Sequence, residues 1–119
     1  MIIAITSTGP DLSSNSDNRF GRANYIILYD TDTGKYESID NSSNIARSQG
    51  AGIKCAEMLV DKGVDYLITG NCGPNAFRVL SSSGIKVYTT QTESVENIIQ
   101  KFKTGKINQI DKPNTMGHW

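Results

Sequence analysis

The chain has 119 residues, and its 12 lysines and arginines balance 12 aspartates and glutamates, so the formal net charge is zero. A chain of this length is the size of one domain and can bury a hydrophobic core without disulfides or a structural metal. Zero net charge argues against a nucleic-acid-binding protein, because such proteins usually carry an excess of Lys and Arg. The longest apolar run, Tyr25 to Tyr29, is far shorter than the roughly 20 residues that cross a bilayer. With no signal peptide pattern, we expect a soluble, cytoplasmic protein that does not bind membranes.

The first part of the chain contains three short runs that are typical of β-strands. They are rich in β-branched and aromatic residues and cover Ile2 to Thr6, Tyr25 to Asp30 and Tyr36 to Asn41. The segment from Asp30 to Lys35 has the composition of a turn, so the second and third runs should form an antiparallel hairpin.

From about residue 50 the spacing of apolar residues changes to that of helices. Three helical faces are predicted, and a glycine ends each of them: Ile53 to Val60 before Gly63, Ala76 to Leu80 before Gly84, and Val95 to Phe102 before Gly105. Two further strands, Asp65 to Thr69 and Ile85 to Thr89, separate the helices. The element order is therefore βββαβαβα, which indicates an α/β layer fold.

This order predicts a ribonuclease-H-like, three-layer fold. If the first strand pairs with the second and the later strands follow right-handed crossovers, the mixed sheet has five strands and only strand 2 is antiparallel. We expect one domain over residues 1–104 and a C-terminal tail over residues 105–119. In that tail, His118 and Trp119 form either a frayed end or a flap over the site.

In this topology four loops converge at one edge of the sheet: residues 7–24, 42–52, 70–75 and 90–93. Ligands of open α/β sheets bind at the carboxyl ends of the strands, which meet at this edge. The first loop is long and polar, and with only Leu12 to anchor residues 8–18 we expect it to be loosely ordered without ligand.

Three of the four arginines, Arg19, Arg22 and Arg47, fall on these loops. Arginine presents permanently charged donors in a fork, and two predicted helix N-termini add backbone N–H groups at the same edge. The sequence therefore indicates a site for a compact anion. Two alternatives stay open: the arginines pair with Asp11, Asp17 or Asp40, and the glycines at the helix starts serve tight packing rather than close approach of a ligand.

The two cysteines are expected to be reduced thiols with different roles. Cys72 lies near a predicted helix N-terminus with cations close by, so it should ionise more readily than a free cysteine and is the one candidate metal ligand, within a monomer or across a dimer. A four-ligand zinc or iron–sulfur site would need more Cys and His than the chain has. Cys55 lies on the inward side of a helix and should behave as a small buried apolar residue.

The residues suggest no catalytic machinery. A ribonuclease-H-like nuclease needs clustered carboxylates for metal ions, and the first strand carries none. Catalysis by a Ser-His-Asp or Cys-His arrangement would rely on His118. The glycines form neither of the common nucleotide-binding patterns. We therefore expect a protein that binds a ligand and is not an enzyme.

Three sequence blocks resemble the dinitrogenase iron–molybdenum cofactor biosynthesis family: Arg19-Phe20-Gly21-Arg22-Ala23, Gly50-Ala51-Gly52-Ile53, and Gly70-Asn71-Cys72-Gly73-Pro74-Asn75-Ala76-Phe77 followed by Gly84 to Tyr88. The resemblance covers residues 1 to 104. This family includes small nitrogenase accessory proteins that carry cofactor precursors and the molybdenum–copper orange protein of anaerobes. The resemblance implies the fold given above and a site for an anionic metal–sulfur cluster. Position 72 is usually apolar in the family, so Cys72 departs from its pattern and either adds a ligand or has no role.

The resulting hypothesis is a non-catalytic carrier for an iron–molybdenum or molybdenum–copper sulfide cluster, bound non-covalently. The alternative is a regulatory or partner-binding module that receives an acidic segment or a simple anion at the same edge. Expected partners are the cluster or cluster-assembly proteins, with the chain a monomer or weak homodimer. The candidate ligand-binding residues are Arg19, Phe20, Gly21, Arg22, Arg47, Gly50, Ala51, Gly52, Gly70, Asn71, Cys72, Gly73, Pro74 and Asn75.

Overall fold

A computed structural model of the protein describes residues 1–46 and 50–114. The strands are β1 (Ile2–Ser7), β2 (Tyr25–Asp30), β3 (Tyr36–Asp40), β4 (Tyr66–Thr69), β5 (Lys86–Thr89) and β6 (Asn108–Ile110). The helices are α1 (Ser42–Ile45), α2 (Ala51–Asp61), α3 (Pro74–Ser82) and α4 (Val95–Lys103). Every predicted strand and helix is present in the predicted order, and α1 and β6 are additional.

The strands form one mixed sheet with the order β3-β2-β1-β4-β5-β6. β1, β4 and β5 are parallel, β2 is antiparallel to β1 and β3, and β6 is antiparallel to β5. The prediction of a mixed α/β sheet is confirmed. The predicted count of five strands with only strand 2 antiparallel is wrong, because the described part of the chain contains a sixth strand.

The sixth strand lies within the segment that the sequence predicts to be a tail. Its three residues pair with β5 through Thr89 and Asn108, Tyr88 and Gln109, and Val87 and Ile110. Two of its three residues are polar, so the segment lacks the apolar or alternating pattern by which the other strands were predicted. Part of this segment therefore belongs to the sheet.

Helices cover the sheet on both faces. On one face Leu59 of α2 and Leu80 of α3 belong to a buried cluster with Leu67 and Val87 of the sheet. On the other face Ile98 and Ile99 of α4 pack in a second cluster, which includes β1 residues Ile3 and Ile5. β1 is buried on both faces, and four of its six residues are apolar, as expected for a central strand. The two faces define three layers.

No helix within residues 1–46 and 50–114 is long and apolar enough to cross a bilayer.

A prediction about the free energy of unfolding follows from the packing of α3. Replacing Leu80, which has no exposed surface, by alanine should lower the free energy of unfolding by about 2–5 kcal/mol, since the change leaves a cavity between α3 and the sheet. The control is Val60→Ala on α2, where the side chain is 37% exposed and the expected change is within about 0.5 kcal/mol. Urea denaturation measures both, and similar losses for the two variants would contradict the described layer packing.

Candidate functional site

The four loops predicted to converge do meet at the carboxyl edge of β1, β4 and β5. The first loop contacts the third, because the Phe20 N–H donates to the Asn71 carbonyl oxygen over 3.2 Å and Arg19 forms a parallel bridge with Asn71. The first loop also contacts the fourth, where the Ser16 N–H donates to the Glu93 carbonyl oxygen over 2.8 Å. The first loop is therefore the central element of this edge.

The first loop reaches the second loop through Arg22. The Arg22 Nη1 donates to the carbonyl oxygen of Ile45 over 2.9 Å, at the end of α1, where carbonyl groups lack partners within the helix. The buried Asn41 Nδ2 donates to the carbonyl oxygens of Gly21 and Ala23 from the other side, over 3.2 and 2.8 Å. Arg22 and Asn41 thus hold the first loop against the start of the helical segment.

The first loop is more ordered than the sequence suggests. Ser7 and Ser16 form an antiparallel bridge, the Asp17 N–H donates to the Thr6 carbonyl oxygen over 2.9 Å, and Leu12 packs against the cluster under α4. The expectation of a loosely ordered segment over residues 8–18 is therefore corrected. Sequence composition missed this order because the partners are backbone groups of other elements.

A pair of buried hydroxyl groups anchors the base of this loop. The Thr6 Oγ1 donates to the Asp17 carbonyl oxygen over 2.7 Å and lies 2.9 Å from the Thr69 Oγ1. Thr6 and Thr69 are the neighbouring ends of β1 and β4 and are almost fully buried. Buried hydroxyl groups are retained in a protein when they are hydrogen-bonded, so this pair fixes where the first loop leaves the sheet.

The close approach between the first loop and α2 depends on glycine. Gly21 has a φ of 95°, and a Cβ placed on it would lie 2.8 Å from the N and Cα atoms of Gly52. Such a distance is incompatible with a side chain, and the positive φ is unfavourable for any residue other than glycine. Gly52 is one of the helix-start glycines for which the sequence leaves tight packing open, and the structure shows such packing of Gly52 against Gly21.

Gly70 has a similar function in the third loop. A Cβ at this position would lie 2.7 Å from the Oδ1 and 2.8 Å from the Cα of Asn18 in the first loop. The loops pack backbone against backbone at this point as well.

The arginines of the candidate site have partners. Arg19 has a side chain that is 54% exposed, and its Nε lies 3.6 Å from the Oδ1 of Asp17, which also accepts the Arg19 N–H over 3.0 Å. This is one of the pairings the sequence left as an alternative, and it leaves about half of the Arg19 side chain in contact with solvent. Arg47 lies outside the described residues.

Two helices begin at this edge, and no described side chain caps them. α2 follows Gly50 and α3 follows Gly73, with Pro74 in the first turn, and neither N-cap residue makes a side-chain hydrogen bond. In α4, by contrast, the Ser94 side chain accepts the Asn97 N–H. The first N–H groups of a helix have no partner within it and carry a partial positive charge. Because Pro74 has no N–H and Ala51 and Gly52 are buried beneath the first loop, the backbone groups that can donate to an anion here are those around the exposed Gly50 and Asn75.

The third loop has a partner that the sequence did not predict. The Cys72 N–H donates to the Oδ1 of Asn114 over 2.8 Å, the Asn114 Nδ2 donates to the Gly70 carbonyl oxygen over 3.0 Å, and the Asn114 N–H donates to the Cys72 carbonyl oxygen over 3.2 Å. Asn114 is 42 residues from Cys72 in the chain, and no local signal in the sequence connects them. The segment after β6 thus returns to the candidate site.

The burial and the pKa of the Cys72 thiol differ from what the sequence predicts. Cys55 and Cys72 have no exposed surface, and burial raises the pKa of each thiol to about 12 from an ordinary value of 9.0. The prediction that Cys72 ionises readily is wrong, because desolvation opposes the thiolate. The prediction that Cys55 is a buried apolar residue is confirmed.

Within residues 1–46 and 50–114, no three His, Cys, Asp or Glu side chains are grouped to hold a metal ion. Cys72 as a metal ligand stays a prediction, and its protonated, buried thiol does not favour it.

The candidate residues differ in exposure. Those that are exposed and lie at the surface of the edge are Arg19, Gly50 and Asn75; those partly exposed are Arg22, Gly70, Asn71 and Pro74; those buried beneath it are Phe20, Gly21, Ala51, Gly52, Cys72 and Gly73. Phe20 is 1% exposed and belongs to the core under α2 and α3. The buried group shapes the edge, and the exposed and partly exposed groups form its surface.

A known protein family matches most of the chain. The model of the family described as dinitrogenase iron-molybdenum cofactor matches residues 1–105, which include the described parts of all four loops. The chain belongs to this family. The resemblance carried by the three sequence blocks is therefore confirmed.

Solved structures of similar proteins have the same fold. The apo form of the orange protein from Desulfovibrio gigas is 37% identical, with a TM-score of 0.92 and coverage of 96% of both chains. A structure from Thermotoga, described as that of a member of the DUF35 family, is 41% identical, with a TM-score of 0.85 and coverage of 98% of both chains. An uncharacterised protein of Methanocaldococcus jannaschii is 30% identical over 94 residues, which are 77% of this chain and 80% of that protein.

A prediction about packing at this edge follows from the contact between Gly21 and Gly52. Gly21→Ala should lower the free energy of unfolding by about 3 kcal/mol or more, because it combines an unfavourable positive φ with a clash against backbone. Gly63→Ala is the matched control, since Gly63 has a φ of 71° and no atom within 4 Å of the new Cβ, so only the backbone cost of about 1 kcal/mol applies. Equal losses in urea denaturation would show that the two loops do not pack as described.

A prediction about the reactivity of the two cysteines follows from the burial of their thiols. At pH 8 iodoacetamide should label Cys55 and Cys72 at least about a hundredfold more slowly in the folded protein than in urea, since only the thiolate reacts and a pKa near 12 leaves little of it. Mass spectrometry of peptides measures each site separately. Rapid labelling of Cys72 in the folded protein would contradict its buried position.

Proposed function

We propose that the protein is a non-catalytic carrier that binds an anionic metal–sulfur cluster, of the iron–molybdenum or molybdenum–copper type, or a precursor of such a cluster. Membership of the dinitrogenase iron-molybdenum cofactor family and 37% identity to an orange protein support this class of cargo. The cluster is the cargo of the protein and is not a resident cofactor. Other components of cluster assembly are the partners that this function implies.

The observation that carries the proposal is the uncapped start of two helices at one sheet edge. α2 begins after Gly50 and α3 after Gly73, with no cap from a described side chain. N–H groups at helix starts donate hydrogen bonds to anions, and the helix dipole adds a favourable field. Sulfide or oxide ligands of a cluster are acceptors of suitable charge, so this edge suits an anionic cluster better than a neutral or cationic ligand.

Arginine side chains complete the proposed site. Arg19 is about half exposed and pairs with Asn71 of the third loop, and a guanidinium group offsets the charge of an anion while donating hydrogen bonds to it. We propose that Arg22 and Arg47 contribute in the same way, with Arg22 also holding the end of α1 through Ile45. The partly exposed Asn71 and the exposed Asn75 add donors from the third loop.

Two further proposals concern the fold and the chemistry. The strand order β3-β2-β1-β4-β5, with β2 antiparallel, supports the description of the fold as ribonuclease-H-like. The absence of catalysis is proposed from the sequence, in which the single histidine is His118, near the end of the chain.

The proposal is tested by removing one arginine. Arg19→Ala should weaken binding of tetrathiomolybdate about tenfold, because a hydrogen bond assisted by two charges is lost at a partly exposed site. Thermal stability should stay nearly unchanged, since the ion pair with Asp17 is long and half exposed. Anaerobic titration followed by the visible absorption of the bound anion measures the affinity.

The control is Arg78→Ala on α3, an exposed arginine beyond the first turn of the helix, which should bind as the unmodified protein does. Equal affinities for the unmodified protein and both variants would place the binding surface elsewhere. Binding of inorganic phosphate as tight as that of tetrathiomolybdate would favour instead a module that recognises a simple anion or an acidic segment.

A further inference from the structure

Asn114 forms a bridge across the third loop of the candidate site. Its carboxamide accepts the Cys72 N–H and donates to the Gly70 carbonyl oxygen, over 2.8 and 3.0 Å, while its own N–H donates to the Cys72 carbonyl oxygen over 3.2 Å. These bonds satisfy both backbone groups of Cys72. Asn114 thus hydrogen-bonds to both backbone groups of Cys72, as a residue of a paired strand would, just before α3 begins.

The third loop does not depend on Asn114 for its position. The Thr89 Oγ1 also donates to the Gly70 carbonyl oxygen, over 3.1 Å, and the Phe20 N–H donates to the Asn71 carbonyl oxygen over 3.2 Å. The Cys72 side chain is fully buried and anchors the loop from within. Removing the Asn114 carboxamide should therefore leave the loop in place and release one group, the Cys72 N–H.

The Cys72 N–H lies where it could donate a hydrogen bond to an anion. Cys72 immediately precedes Gly73, the N-cap of α3, so its N–H belongs to the group of donors around an uncapped helix start. Asn114 is exposed, and its departure would open this N–H to solvent and to a ligand. The oxygen of its carboxamide is an acceptor, as an oxide or sulfide ligand of a cluster is.

We propose that residues 111–114 are a strap that competes with the cargo for the third loop. The Asn114 Oδ1 accepts the Cys72 N–H, and an incoming anionic cluster displaces it from that group. This inference rests on the proposed function and adds its regulation. Because docking of the strap and binding of the anion exclude each other, a change that weakens a mostly docked strap and leaves the anion's own contacts unaltered tightens binding of the anion by the same factor.

The test compares three variants of the full chain with tetrathiomolybdate as the probe. Asn114→Ala removes the competing acceptor and should tighten binding by about two- to tenfold, the range that one net hydrogen bond provides. Asn114→Asp keeps an acceptor at the Cys72 N–H, loses the donor to the Gly70 carbonyl oxygen, and adds a negative charge that repels the anion. It should bind at least about tenfold more weakly than Asn114→Ala. Asn97→Ala, an exposed position on α4, is the matched control and should not change the affinity.

The affinity of Asn114→Ala distinguishes two roles for Asn114, because competition with the anion and positioning of the loop predict opposite changes. If Asn114 merely positioned the loop, alanine would weaken binding, and that outcome overturns the proposal while the proposed function stands. An unchanged affinity for Asn114→Ala overturns it equally. If neither the unmodified protein nor Asn114→Ala binds tetrathiomolybdate, the proposed function fails together with the strap. Thermal denaturation of each variant verifies that it is folded.

Amide hydrogen exchange tests the strap independently of any affinity. In the ligand-free protein the Cys72 amide should be protected, and Asn114→Ala should accelerate its exchange, whereas the Phe20 amide, bonded to Asn71, should be unaffected. A saturating concentration of tetrathiomolybdate should accelerate exchange at Asn114, whose N–H is bonded only while the strap is docked. Rapid exchange of Cys72 in the ligand-free protein, or an unchanged rate in the variant, overturns the proposal.

Discussion

Contact between backbone and backbone is the constraint on which the candidate site depends. The first loop passes over the start of α2 at Gly21 and over the end of β4 next to Gly70, and at both positions a Cβ would meet another residue within 2.8 Å. At such distances a side chain as small as that of alanine has no room. The loops consequently approach one another more closely than side-chain packing permits, and their amide groups are brought into a small area of the sheet edge.

This close packing makes the edge a preformed surface. Thr6 and Thr69 fix the point at which the first loop leaves the sheet, and Asn41 holds its return toward β2. A ligand that binds such a surface does not have to order the loop, so less of the interaction free energy is lost as conformational entropy. Among the described contacts of this edge, the contact of Asn114 with the third loop is the one that we propose can change, because Asn114 is exposed and follows a strand of only three residues.

The sequence predicted the features that are determined locally and missed those that depend on distant partners. Apolar periodicity predicted the helices and the five longer strands, and chain order then predicted which loops converge. The strand Asn108–Ile110 was missed because it is short and polar. The raised pKa of Cys72 was missed because a helix start in the sequence suggests exposure, whereas the folded chain buries the thiol completely. The role of Gly21 could not be predicted either, since its partner, Gly52, lies in α2, 31 residues further along the chain.

The two edges of the sheet are formed by strands that discourage further pairing. β3 is mostly exposed and carries Glu37 and Asp40, and β6 is short and followed by Asp111 and Lys112. Unpaired edge strands are templates for aggregation, and charge and short length are the usual means by which proteins prevent it. The apolar central strands β1 and β4 therefore lie between two edges that do not favour pairing with another copy of the chain.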